Sequence, residues 1–289
     1  MATKQHTDIG ADYMTLLSEN MTEEEYNLLP GIRSTALKYF IKYGARAYHQ
    51  KFNLKQFEPD TDKPAFQIGR LFHAWIIEGR KLWAEPWTGY RRGNDYKEYK
   101  AECEAENLEV ITDTDLRKLT LMKQSFESNP LAVSLLEQTV RREQTIQFDY
   151  AGLDCKVRLD MWLESDAIVD LKTTRNAAPE KFFYQGVNEF GYHHSAGFYE
   201  LGVQDYLETD QNIPYLYIAV ENQEPYRCAV HKMADDVREV GRRDVRKALE
   251  ELAECTELNS WPEPLAADVQ EYTPGMKWLS DNDALGEVI

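Results

Sequence analysis

Residues 157–172 read VRLDMWLESDAIVDLK and bring two carboxylates and an ammonium close together: Asp160, Asp170 and Lys172. The residues around them alternate polar and apolar and are rich in Val, Ile and Leu, which is a strand pattern. If the two segments pair as a hairpin, Asp160 and Asp170 come alongside each other. Asp170 and Lys172 are two residues apart and leave the same sheet face. Two adjacent carboxylates repel. A divalent cation removes that cost, and oxygen ligands suit Mg2+, with Mn2+ as a substitute, rather than zinc. A lysine beside them can orient or deprotonate a water, while the metal lowers that water's pKa and stabilises charge on a phosphoryl oxygen. A solvated strand face would carry charges too. Against that, Ile168, Val169 and Leu171 make the strand apolar on both faces around Asp170, and a buried unpaired carboxylate is costly.

The elements that must position these groups follow from periodicity. A Thr22 cap and first-turn acids predict a short helix over 22–29. A Pro-Gly turn and a Ser34 cap open a helix with Leu37, Phe40 and Ile41 on one face. Residues 53–64 read as a polar loop. The segment AFQIGRLFHAWIIEG (65–79) reads as an apolar helix, with His73 four residues after Gly69 on the same face. Residues 84–100 include a loop, and helical patterning over 113–140, capped at Asp113 or Thr114, is divided by Asn129-Pro130. The period then changes from 3.6 to 2. Strands are expected over 143–150, 153–164 and 167–174, with short junctions at Ala151-Gly152 and Ser165-Asp166. Helices follow over 179–190 and 194–207, strands over 214–221 and 226–233, and a long amphipathic helix over 234–254. No internal repeat is present. This order is that of an α/β (α+β) domain with a helical N-terminal part.

The 289 residues are enough for one large core, and 43% hydrophobic with 29% charged residues is an ordinary globular composition. No apolar run reaches the roughly 18 residues of a membrane span, and the N-terminus has no apolar signal region. Cys103, Cys155, Cys228 and Cys255 are far apart with no CxxC pair, which disfavours a zinc knuckle or disulfide framework and fits free thiols in a cytoplasm. The net charge of −17 argues against open, nonspecific coating of nucleic acid but says little about an enclosed basic groove.

The D-x9-D-x-K spacing of Asp160, Asp170 and Lys172 resembles the PD-(D/E)XK nuclease signature. Further motifs, in order, are similar to the RecE-type (exonuclease VIII-like) branch of phage recombination exonucleases: EEEYNLLPGIRSTALKYF, IGRLFHAWIIEG, RRGNDYKEYKAE, Glu143 of REQTIQF, CKVRLDMW, IVDLKTT and FGYHHSAGFYELG. The resemblance runs from about residue 22 to residue 255. It implies a restriction-endonuclease-like core, a central mixed sheet flanked by helices. One nuclease domain over 21–255 is expected, with a helical part 21–140 and a catalytic sheet core 141–255. An N-terminal extension (1–20) precedes it and an acidic tail (256–289) follows.

The resemblance also implies roles. His73, Asp160 and Asp170 would bind metal, with the Leu171 carbonyl as a further ligand, and Lys172 would position the attacking water. Glu143 would be a supporting or second-metal carboxylate, or else a strand-edge acid. Tyr192 and Tyr199 would border a DNA-binding cleft, though their spacing also suits a core. Arg158 of CKVRLDMW joins the DNA contacts. The family usually has Gln where this chain has Ser195, which changes a substrate contact and leaves the metal ligands intact. Arg91, Arg92, Lys97 and Lys100 are interleaved with Tyr90, Tyr96 and Tyr99, as in a phosphate grip with base stacking or a solvated helix with extended lysines. Arg238, Arg242, Arg243, Arg246 and Lys247 fit a surface ion-pair face.

The resulting expectation is an Mg2+-dependent exonuclease acting on double-stranded DNA ends, 5′ to 3′, and leaving 3′ tails for recombination. By resemblance it would be a toroidal tetramer working beside a single-strand annealing protein in a bacterial cytoplasm. A structure-specific endonuclease with the same site, or an inactive DNA-binding or host-interaction protein of the same fold, are the alternatives.

Overall fold

Strand pattern and strand coincide in the middle of the chain, where β3 (Thr139–Tyr150), β4 (Leu153–Leu163) and β5 (Ile168–Thr174) follow one another as antiparallel neighbours. The computed structural model describes residues 3–5, 14–18, 21–57, 64–165 and 167–263. β6 (Tyr215–Glu221) lies parallel to β5, and β7 (Cys228–Lys232) is antiparallel to β6. Two short strands, β1 (Thr3–Gln5) and β2 (Met14–Ser18), extend the sheet at the β3 edge. The mixed sheet therefore has the order β1-β2-β3-β4-β5-β6-β7. Because β5 and β6 are parallel, the chain must cross over between them. It does so through α7 (Pro179–Tyr184) and α8 (Tyr192–Leu207).

Both sheet faces are covered. On one, α2 (Ser34–Tyr48), α8 and α9 (Asp235–Glu257) bury Leu37, Phe198 and Leu249 against Val157, Leu159 and Ile168. On the other, α3 (Pro64–His73), α5 (Asp113–Glu127) and α6 (Pro130–Glu137) bury Phe72, Met122 and Leu135 against Val169, Leu171 and Ile218. The alternation of Ile168 to one layer and Val169 to the other leaves Asp170 and Lys172 on the α2–α8 side. At the chain's first helix, α1 (Glu23–Leu28), Thr22 and Glu25 form a reciprocal capping box, worth about 1 kcal/mol by the usual effect of such caps.

Several boundaries differ from the sequence reading. Of the two readings of the Arg91–Lys100 segment, the structure has the helix from residue 94 onward: α4 spans Asn94–Ala105. Only its Cys103 is buried, so the sequence carries little amphipathic signal there. β3 begins at Thr139, within the stretch read as helix, because Arg141 and Arg142 interrupt the apolar alternation. The cap of α5 is Thr112, in a capping box with Asp115. Arg33 precedes α2, and Ser34 instead hydrogen-bonds Ser195. Helix α9 runs two residues past the expected domain end, and Trp261 stacks on His49 with ring centroids 4.4 Å apart. Residues 264–289 of the acidic tail lie outside the described residues, as does the N-terminal extension apart from β1 and β2. Among the described residues no helix is long and apolar enough to cross a membrane.

Candidate active site

β4 and β5 pair through Trp162 with Ile168 and Met161 with Val169. Beyond that point the Asp160 carboxylate takes over: its Oδ2 accepts the Leu171 N–H at 2.8 Å, satisfying a backbone donor. The same oxygen lies 3.1 Å from His73 Nε2. His73 is the last residue of α3, and a π-helical turn, Ala74–Glu78, continues from it. Its Nδ1 is 3.4 Å from Glu143 Oε1.

Glu143 reaches the site from an unusual backbone. Its φ is 50° in the middle of β3, a left-handed conformation uncommon for a residue with a side chain. Such geometry costs of order 1–3 kcal/mol and persists where surroundings fix it. Its neighbours Arg142 and Gln144 pair with Met161 and Leu159, so Glu143 sits opposite Asp160. One ligand atom from each of His73, Glu143 and Asp160 lies within 4.8 Å of the other two. Arg158 Nε is 2.6 Å from Glu143 Oε2, and its Nη2 donates to the Met21 carbonyl.

Asp170 lies behind this group. It is 3% exposed, its Oδ2 is 2.5 Å from Lys172 Nζ, and its Oδ1 accepts from Tyr215 OH at 3.3 Å. Lys172 Nζ also stands 5.5 Å from the Tyr192 ring centroid.

The electrostatics follow from crowding. Burial, and then Asp160, push the Glu143 carboxyl up to about 7 against the pull of His73 and Arg158. Burial raises Asp170 also, with Lys172 opposing and Asp160 adding to the shift. Asp160 is held low: burial acts upward, but His73, Lys172 and the Leu171 N–H outweigh it. Burial alone would lower His73, yet the Asp160 and Glu143 carboxylates raise it to about 9. Lys172 is likewise raised, burial being overcome by Asp170 and Asp160, so its ammonium stays charged.

This donor set fits a hard divalent cation. The Glu143 and Asp160 carboxylates and the His73 imidazole converge, with the Asp170 carboxylate behind them, and Glu143 Oε1 is buried without a hydrogen-bond partner. Oxygen-rich ligation suits Mg2+ or Mn2+.

The group opens into a cleft of about 830 Å3, which is also lined by Tyr26, Arg33, Arg70, Arg80, Arg158 and Tyr199. Leu171 and Lys172 line it as well. Of the residues expected on DNA, Arg158 and Tyr199 are therefore in the cleft. Tyr192 is not; it lies beneath Lys172, stacked on Phe190 and Tyr217. Ser195 is buried, its hydroxyl 2.9 Å from that of Ser34, which does line the cleft. Arg91, Arg92 and Lys97 are exposed outside it, and Arg91 donates to the Ile111 carbonyl. Sequence reasoning missed Arg33, Arg70 and Arg80. Arg33 stands inside the GIRSTALKYF motif, and Arg70 and Arg80 frame the His73 helix, so position relative to those motifs was the available signal. Arg33 is bonded to Asn27, Arg70 to Glu109 and Arg80 to Glu78.

A family described as a PDDEXK-like domain of unknown function (DUF3799) matches residues 34–271. No curated protein matches the chain. Among solved structures, a candidate exonuclease from Eubacterium rectale is similar at a TM-score of 0.59, covering 91% of this chain and 99% of that one at 13% identity. That likeness is one of fold.

Proposed function

The chain belongs to the PDDEXK-like family DUF3799, and from that membership we propose that its cleft hydrolyses phosphodiesters at linear duplex DNA ends. Digestion would run 5′ to 3′ and leave 3′ single-stranded tails for recombination. That the protein carries a PDDEXK-like domain is shown by the family, and the nuclease activity is supported by it. The substrate and direction are our reading, which extends to residues 21–255 acting as one catalytic unit.

The observation that carries the proposal is the convergence of His73, Glu143 and Asp160 within 4.8 Å of one another, with Lys172 beside them, in a cleft rimmed by four arginines. His73, Asp160 and Glu143, with Asp170 and the Leu171 carbonyl, would hold Mg2+ or Mn2+. When bound, the ion lowers the pKa of a water and stabilises charge on the phosphoryl oxygens. Lys172, kept protonated by Asp170, acts as a donor that orients the water rather than as a base. Asp170 fixes that ammonium in place. Arg33, Arg70, Arg80 and Arg158 offer guanidinium groups suited to phosphate, and Tyr199 gives the wall a ring.

A net charge of −17 does not preclude DNA in the cleft, because the local field of its arginines, set among Glu23, Glu24 and Glu78, is not the net charge. A ring of copies around the duplex, which the resemblance implies, would enclose the DNA. The solution mass would then be a multiple of 33.6 kDa, four-fold for a tetramer, whereas a monomer that digests processively would remove the ring. A single-strand annealing protein would take the tails in a bacterial cytoplasm.

The test is end-labelled linear duplex beside covalently closed circles, with Mg2+ or with EDTA. Release of the 5′ label from linear DNA, with Mg2+ only and with circles intact, is expected. Cut circles would instead establish the endonuclease, and binding without hydrolysis the inactive relative.

A further inference from the structure

Away from the cleft, a second set of side chains converges where α8 meets α9. His193 and His194 open α8 with ring centroids 3.8 Å apart. Asp244 faces them from α9, with its Oδ2 3.4 Å from His194 Nε2. Each of the three offers a ligand atom within 4.8 Å of the other two. His193 is 7% exposed, and its Nδ1 is buried without a hydrogen-bond partner. Leaving a buried polar atom unmatched costs about 1–3 kcal/mol and calls for an explanation.

The backbone is arranged for this approach. A Cβ on Gly241 would lie 2.0 Å from the His193 carbonyl oxygen. Only glycine lets α9 come so near, and Asp244, three residues on, lies on the same helical face. Asp244 also lines a groove of about 530 Å3 between α2 and α9.

The donor set differs from that of the cleft. Asp244 Oδ1 is occupied by Arg243, whose Nε and Nη2 donate at 3.1 and 2.9 Å; Oδ2 remains toward His194. Lys38 is a nearby cation, with its Nζ donating to the Phe190 carbonyl at 3.1 Å. One carboxylate beside Lys38 and Arg243 is a poor trap for a hard ion held by charge alone. Two imidazole nitrogens favour borderline cations, and three protein ligands leave room for water in a tetrahedral shell.

We propose that His193, His194 and Asp244 form a second metal site, for a borderline divalent cation of the zinc class, that fastens the start of α8 to α9. The turn it fastens carries Tyr192, beneath Lys172, and Ser195, bonded to Ser34 at the cleft wall. The site does not depend on the nuclease reading.

The full chain with His73→Gln and Asp160→Asn, which disables the cleft's donor set, is dialysed against Co2+ and then Zn2+. About one equivalent per chain should be retained, with the visible absorption of nitrogen-ligated Co2+. Zn2+ should displace it, and millimolar Mg2+ should not. Adding Asp244→Asn, or separately His194→Gln, should weaken retention at least ten-fold and remove the absorption. Asp244 is partly exposed, so its variant should fold, as circular dichroism would verify. No retained Co2+ or Zn2+, or retention unchanged by both substitutions, would overturn the proposal.

Discussion

His73 Nε2 stands 3.1 Å from Asp160 Oδ2, so the ring nitrogen that would bind a metal is held against a carboxylate. The Asp160 and Glu143 charges raise His73 to about 9 despite its burial. An incoming Mn2+ must therefore displace a proton. Titration calorimetry at pH 7 in buffers of different ionisation enthalpy should show roughly between one and two protons released per ion, one from His73 and the remainder from Glu143, whose carboxyl is pushed up to about 7. Apparent affinity should climb with pH and level off above about 9. Binding at pH 7 without proton release would remove His73 from the ligand set.

Gly69 lies one helical turn before His73, and a Cβ there would meet Thr173 Oγ1 at 3.0 Å. Thr173 follows Lys172 on β5, so this contact sets the spacing between the histidine helix and β5. Gly69→Ala should raise helix propensity, by up to ~1 kcal/mol in an interior position, and yet lower turnover. Gly69→Val should lower it further, toward the roughly 10²-fold loss that a 1 Å misplacement produces. Thr173→Ala in the Gly69→Ala background should restore turnover. Thermal melts and initial rates separate the two effects, and unchanged rates in Gly69→Val would show that the spacing is not critical.

Asp160 and Asp170 are legible in the sequence because carboxylates interrupt otherwise apolar strand patterns, and the segments around them alternate as strands do. His73 taken alone reads as an ordinary helix histidine, and only the motif resemblance points to a ligand there. Glu143 is only half legible: its spacing in β3 is visible, but its φ of 50° is not, since a strand pattern presumes regular backbone. Arg33, Arg70 and Arg80 come from different elements and share a cleft only after folding. Helix α4 was legible only as one of two alternatives, because a helix that buries little but Cys103 shows little periodicity. The family's Gln position, filled here by Ser195, turns inward to Ser34, and spacing alone cannot show which way a short hydroxyl points.

His193 supplies a test of stability against pH. Burial, then the neighbouring His194 and Lys38 charges, lower it to about 4, with Asp244 opposing. In the unfolded chain an imidazole titrates near 6.5. Between those values the unfolded state binds more protons, so stability falls as pH drops from about 6.5 to about 4 and is unaffected by this group above that window. Urea melts in EDTA should show the stability gap between wild type and His193→Gln shrinking across that window as pH falls. A gap that stays constant would mean that His193 titrates alike in both states.

Lys172→Ala gives the sharpest division between binding and chemistry. The Lys172 ammonium lies 2.5 Å from Asp170 Oδ2 and is kept charged by Asp170 and Asp160, so it can donate to a water or to charge developing on a phosphoryl oxygen. The metal would be held by His73, Asp160, Glu143 and Asp170, and the DNA phosphates by the cleft arginines. An interaction made only in the transition state lowers turnover and leaves ground-state affinity in place. Lys172→Ala should therefore reduce kcat by about 10²–10⁴-fold, the usual worth of such a group, with Mn2+ and DNA affinities within a few-fold of wild type. Lys172→Arg should not restore the rate, because a planar guanidinium cannot reproduce the compact ammonium. Asp170→Ala should lose metal affinity together with activity, since it removes a ligand and the partner that fixes Lys172. Near-wild-type digestion by Lys172→Ala under Mg2+ would mean that the lysine only neutralises Asp170, and the water would then have to be oriented by another group of the cleft.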